Sequence, residues 1–206
     1  SSVPAPPDAS PQSFTYYAAS GTEKIIPDLY DCADRTQIGL ATRTTDIAQA
    51  DLLIRLTAPQ NNLPAYQIGT VELVLAAYPA SEIGTLSQEQ IKAIYTGKIN
   101  NWAALGGEEA EIQVWAYGAG NELQEAFNET VLTAGTLVSN ARQAQNPGAM
   151  RDALLENSNA LGIIPHTEVG TDLQVLSTIN SYPILAILPN ETSPDLSSLI
   201  LCLQSK

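Results

Sequence analysis

Along most of this chain short apolar runs alternate with amphipathic ones. "SFTYYAAS", "TQIGLAT" and "ADLLIRLT" place β-branched and aromatic residues in brief stretches bounded by turn residues, which predicts strands. "AYQIGTVELVLAAYP" extends that pattern into one long strand. "TEKIIPDLYDCA" reads as a helix. So does "LSQEQIKAIYTG", where Leu86, Ile91, Ile94 and Tyr95 fall at helical spacing and Ser87 with Gln90 forms a capping box. Next come "IQVWAYG" as a strand, "NELQEAFNETVL" as a helix and "TLVSNA" as a short strand. "NPGAMRDALLENS" predicts a helix capped by Asn146, with Pro147 at its first position. "ALGIIPH", "LQVLST" and "YPILAIL" are strand patterns, and "SPDLSSLILCLQS" is a closing helix. Strands alternating with helices through the middle imply an α/β protein with largely parallel sheets.

The first residues break the pattern. "SSVPAPPDASPQS", residues 1–13, carries four prolines and no apolar periodicity, so a disordered Pro/Ser-rich linker is expected there. Such a tether ahead of a folded domain suits a protein anchored at its N-terminus to a membrane. The expectation is an extracytoplasmic chain, periplasmic or held by an N-terminal lipid, from which a signal peptide has been removed. No apolar run approaches the ~18 residues of a membrane-spanning helix.

Composition narrows the function. The 206 residues, 44% hydrophobic, suffice for a sizeable core in one large or two small domains. A formal charge of −13, with nine scattered Lys and Arg, argues against nucleic acid, whose backbone requires a basic surface. A small anionic ligand stays compatible, because a few donors inside a cleft override long-range repulsion locally. Two cysteines, one methionine and one histidine leave little for metal or redox chemistry, so no metal, cofactor or catalytic group is expected. His166 stands alone, without a Ser-His-acid set. Cys32 and Cys202 are either two buried thiols or one bridge formed in an oxidising compartment.

"VWAYGAGNELQEAF" reads as a strand that breaks into a Gly-x-Gly turn and opens a helix. Glycines before a helix serve either an anion, bound by unpaired N–H groups, or a tight connection without a ligand. The longer stretch "LSQEQIKAIYTGKINNWAALGGEEAEIQVWAYGAGNELQEAF" resembles the phosphate-binding proteins of ABC transporters, within the type 2 periplasmic solute-binding superfamily. Leu86, Ser87, Ile94, Tyr95, Gly97, Ile99, Trp102, Gly106, Gly107, Gly118, Gly120 and Phe127 stand where that family has its motif residues. "GTEKIIP" resembles its first loop and "ALGIIPH" a later strand. The likeness covers most of residues 14–206, most strongly 66–127.

The resemblance implies a two-lobed α/β fold with crossing strands, one lobe built from 14–80 plus 179–206 and the other from 81–178. A small-molecule or oxyanion ligand would lie between them, delivered by a monomeric solute-binding protein to an ABC permease. The arrangement would also bring Cys202 near Cys32, favouring a disulfide. Ligand-binding residues carried over are Gly21 and Thr22 in the first loop, Arg43, Thr44 and Thr45 after the second strand, and Gly118, Ala119, Gly120 and Asn121. Departures from the family matter. Trp115 stands for an arginine, Ala119 for a serine and Asn121 for a threonine, so phosphate itself is disfavoured.

Several side chains have two readings. Asn121 and Thr22 either contact ligand or cap a helix, and Arg43 either contacts an anion or pairs with Asp46 in a solvated turn. Tyr17, Trp115 and Tyr117 either line the rim, favouring a ligand with a planar part, or belong to the core. The alternative function is a ligand-sensing or protein-interaction module that keeps the fold without transport.

Overall fold

The computed structural model describes residues 13–59, 62–79, 83–189 and 194–206. The expected linker therefore lies outside the described residues except for Ser13. That residue opens β1 (Ser13–Ala18), which leads through a 3-10 turn, Glu23–Ile25, into α1 (Ile26–Arg35). β2 (Leu40–Arg43), β3 (Leu52–Arg55) and β4 (Ala65–Ala77) follow, then α2 (Gln88–Tyr95), β5 (Gln113–Tyr117) and α3 (Glu122–Phe127). The chain continues through β6 (Arg142–Ala144), α4 (Pro147–Glu156), β7 (Ala160–Pro165), α5 (His166–Val169), β8 (Gln174–Ile187) and α6 (Pro194–Gln204).

The strands form one eight-stranded sheet in the order β2-β1-β3-β8-β4-β7-β5-β6. Its flanks are parallel, β1 with β2 and β3, and β5 with β6 and β7. The centre is antiparallel, because β4 and β8 pair with each other and with β7 and β3. The expectation of largely parallel sheets thus holds only at the flanks. "LQVLST" and "YPILAIL" are not two strands but one. β8 stays paired with β4 from Gln174 to Ile187, and bulges near Gly69, Val74 and Ala76 absorb the changes in register. "TLVSNA" is not a strand. The Val138 N–H donates to the Tyr95 carbonyl at 2.8 Å, anchoring the segment to the end of α2, and β6 begins only at Arg142.

Local chemistry explains α2. The Ser87 hydroxyl accepts from the Gln90 N–H at 3.3 Å, while the Gln90 side chain accepts from the Ser87 N–H at 2.8 Å. Ile91, Ile94 and Tyr95 are buried, and the Tyr95 ring lies 4.6 Å from Phe127, so α2 joins α3 in one core. Each fully buried aliphatic side chain contributes about 1.5–3 kcal/mol. Trp102 is buried too, with Nε1 donating to the Asn159 carbonyl at 3.2 Å.

α6 packs on α1 and β4. A disulfide joins Cys32 to Cys202 with 5.8 Å between Cα atoms, closing 170 residues of sequence separation. A loop of that length corresponds to about 5 kcal/mol of lost unfolded-state entropy in the chain-entropy treatment.

Candidate functional site

Ligands of open α/β sheets bind outside the C-terminal ends of parallel strands. The loops leaving β1, β5 and β6 meet there. A hollow of about 380 Å³ is lined by Tyr17 in β1 with Ala19 and Ser20 after it, by Gly118–Glu122 after β5, and by Gln143, Ala144 and Gln145. A neighbouring hollow of about 420 Å³ is lined by Ser20, Glu23, Arg43, Gln145, Asn146, Pro147, Gly148 and Glu168. The two adjoin at Ser20 and Gln145 and form one trough.

Gly118, Ala119, Gly120 and Asn121 line this trough, as does Arg43. Gly120 has φ +80°, a conformation that L side chains rarely adopt. The Asn121 side-chain oxygen accepts from the Leu123 and Gln124 N–H groups at 3.0 and 3.4 Å, so the residue caps α3 while standing on the trough wall. Arg43 is exposed and donates to the Ala18 carbonyl at 3.2 Å. Asp46 accepts instead from the Ala48 N–H and the Gln49 side chain. Thr44 belongs to that turn, its N–H donating to the Tyr16 carbonyl and its hydroxyl accepting from the Asp46 N–H; Thr45 follows it, exposed.

Gly21 and Thr22 sit behind the wall. At φ +93°, Gly21 lies so close to Leu123 that an added Cβ would stand 2.7 Å from that side chain. Its N–H donates to the Glu23 carboxylate at 2.7 Å. Thr22 is fully buried, its hydroxyl donating to the Ala19 carbonyl at 2.7 Å and making no cap contact. Of the three aromatic residues considered for the rim, Tyr17 lines the trough. Trp115 packs beside Arg142, with the guanidinium 5.9 Å from its ring, and donates to Gln113, while Tyr117 is buried.

Two residues gave little sequence signal. The Ser20 hydroxyl is buried and has no hydrogen-bond partner among the described residues, and the residue lines both hollows; its only signal is its place before a glycine at the end of a strand. Glu122 stands in the first turn of α3, where the helix dipole alone accounts for a carboxylate. It is 4% exposed and accepts from Arg55 Nε at 2.6 Å, the Leu56 N–H at 2.7 Å and the Thr57 N–H at 3.2 Å. A guanidinium and two backbone donors form an anion socket filled by the chain's own carboxylate. His166 stands apart from the trough, Nδ1 3.5 Å from the Glu72 carboxylate, and both groups are exposed.

A mixed sheet with long central strands and a crevice between the β1 and β5 loops defines the architecture of type 2 periplasmic binding proteins. The family model described as a PBP superfamily domain matches residues 5–196, and the chain belongs to that family. Over 47 residues it is 36% identical to the phosphate-binding protein PstS of Bacillus subtilis (strain 168), a match spanning 23% of this chain and 16% of that protein. The fold is similar to that of a Clostridium perfringens protein solved with bound phosphate and described as a phosphate ABC transporter substrate-binding protein. That likeness has a TM-score of 0.80 and 20% identity, and covers 93% of each chain. It is also similar to the CcmR regulatory domain of Synechocystis PCC6803 in complex with 2-PG, with TM-score 0.69, 11% identity, and 94% and 96% of the two chains covered.

Proposed function

We propose that this chain is an extracytoplasmic solute-binding protein of an ABC importer. It would fold as two lobes, 14–80 with 179–206 and 81–178, and hold a small oxyanion or related polar solute in the trough between the β1 and β5 loops. The observation that carries this reading is the buried Ser20 hydroxyl, without a hydrogen-bond partner among the described residues, on a residue that lines both hollows. A buried hydroxyl left unsatisfied costs about 1–3 kcal/mol, a penalty that a ligand oxygen removes. The importer role and the permease partner rest on likeness to phosphate-transport proteins, which are substrate-binding components rather than enzymes. An oxidising location is supported by the Cys32–Cys202 bridge.

Phosphate is disfavoured within this reading. The β5 loop offers no arginine, Glu23 occupies the Gly21 N–H, and Glu23, Glu122 and Glu168 all line the trough. Isothermal titration of the intact chain with inorganic phosphate, sulfate and small carboxylates tests it. Saturable binding that Ser20→Ala weakens at least tenfold is the expected result.

A second reading, a ligand-sensing module without transport, is favoured by one observation: Glu122 already fills an anion socket from within the chain. The similar fold of a regulatory domain in complex with 2-PG is consistent with this reading. A folded chain that binds a solute but neither associates with an importer nor stimulates its ATP hydrolysis would support it.

A further inference from the structure

We propose that the solute of this trough is a zwitterion of amino-acid size, with its carboxylate toward Arg43 and the Ser20 hydroxyl and its cationic nitrogen toward Glu23 and Glu168. The proposal deepens the solute-binding reading and rests on it.

The charges of the larger hollow carry the inference. Arg43, Glu23 and Glu168 all line it. Among the described residues none of the three has an ion-pair partner: the six salt bridges involve other groups, and Arg43 donates only to the Ala18 carbonyl. One cation and two carboxylates thus face the same space without neutralising one another. Arg151, by contrast, is already paired with Asp172 at 2.7 Å.

One hydroxyl supplies an independent constraint. Ser20 lines both hollows, and its Oγ is buried with no hydrogen-bond partner among the described residues. It therefore has a hydrogen to give to an acceptor oxygen.

Other ligand classes leave part of this array unmet. A dianion such as phosphate gains Arg43 but faces two carboxylates. A simple cation pairs with Glu23 and Glu168 but leaves Arg43 and the Ser20 hydroxyl without an acceptor. A neutral polyol can hydrogen-bond to the three charged groups but neutralises none of them. A carboxylate and an ammonium on one small skeleton satisfy both halves, and hollows of this volume suit a solute of that size.

The test is isothermal titration and thermal shift of the intact chain with four probe groups: the common L-amino acids with γ-aminobutyrate and glycine betaine, the same acids lacking the amino group, inorganic phosphate, and putrescine. At least one zwitterion should bind, with its deaminated counterpart at least tenfold weaker. Glu23→Gln combined with Glu168→Gln should narrow that ratio toward one, with circular dichroism unchanged. Arg43→Met should weaken the zwitterion at least tenfold. Phosphate, putrescine or a deaminated acid binding as tightly as any zwitterion would overturn the ligand class while leaving a solute-binding protein. Failure of every group to bind the folded chain would overturn both readings.

Discussion

Glu122, at the start of α3, reaches Arg55, at the end of β3, with 2.6 Å between carboxylate oxygen and Nε. The two residues lie 67 positions apart in sequence, and the same carboxylate binds the Leu56 and Thr57 N–H groups. The pair ties the helix after the glycine loop to the strand beside β1, so the trough is braced by an ionic contact independent of any solute.

Removing one member of a buried ion pair strands the other. Glu122→Ala is expected to lower unfolding free energy by about 3–5 kcal/mol. Glu122→Gln should cost less, because its amide oxygen still accepts from a backbone N–H. Urea denaturation of both variants measures the difference, and a loss below ~1 kcal/mol for Glu122→Ala would show that the contact braces little.

The disulfide gives a second expectation. Thiol titration of the unreduced chain in denaturant should find neither Cys32 nor Cys202 reactive. Reduction, or the paired change Cys32→Ser with Cys202→Ser, should cost about 2–5 kcal/mol of stability and lower the melting temperature.

Phosphate should bind weakly or not at all. Two charge-assisted contacts at about 1.5–3 kcal/mol each correspond to a loss of roughly 10²–10⁴ in affinity. Calorimetry at low and physiological salt reads this directly; submicromolar affinity would mean that other donors replace those lost at Trp115 and Ala119.

Adjacent hydroxyls in the first loop should behave oppositely. Thr22→Val removes a bond to the Ala19 carbonyl and is expected to cost about 1–2 kcal/mol of stability. Ser20→Ala removes a hydroxyl with no partner among the described residues, so stability should hold or rise while solute affinity falls. Melting and binding curves for the two variants separate scaffold from site, and equal destabilisation by both would contradict the assignment.

Alkaline pH should unfold the chain partly through Tyr16. Burial, followed by its hydrogen bond to the Tyr30 hydroxyl at 2.9 Å, raises the Tyr16 pKa from 10.0 to about 12. A raised folded-state value favours the protonated form, so this contribution is complete below pH 10 and is lost as pH rises toward about 12. Tyr16→Phe should flatten the stability profile across that window.

Features set by neighbours in sequence were legible: the Ser87–Gln90 capping box, the Pro147 helix start and the glycine turn before α3 each follow from local chemistry. What depends on remote partners was not. β8 is one strand because β4 is long enough to pair with all of it, which nothing in "LQVLSTINSYPILAIL" reveals. Glu122 carries no mark of Arg55 in its own segment, and the 3-10 turn that turns Thr22 inward leaves Ser20 on the wall. The loops of the candidate site could be named from motifs, whereas the direction of each side chain was set by packing against Leu123 and the neighbouring carbonyls.

The bond between Cys32 and Cys202 also decides how the fold carries mechanical load. A pull applied at Ser13 and Lys206 passes through β1, α1 as far as Cys32, the covalent bridge, and the few residues after Cys202. Strands β2 to β8 and the trough loops after β5 and β6 lie inside the closed loop and bear no tension along the chain. Stretching would therefore peel β1 from its neighbours and carry off the Ser20 wall, while the remaining seven strands stay shielded until the sulfur–sulfur bond is reduced.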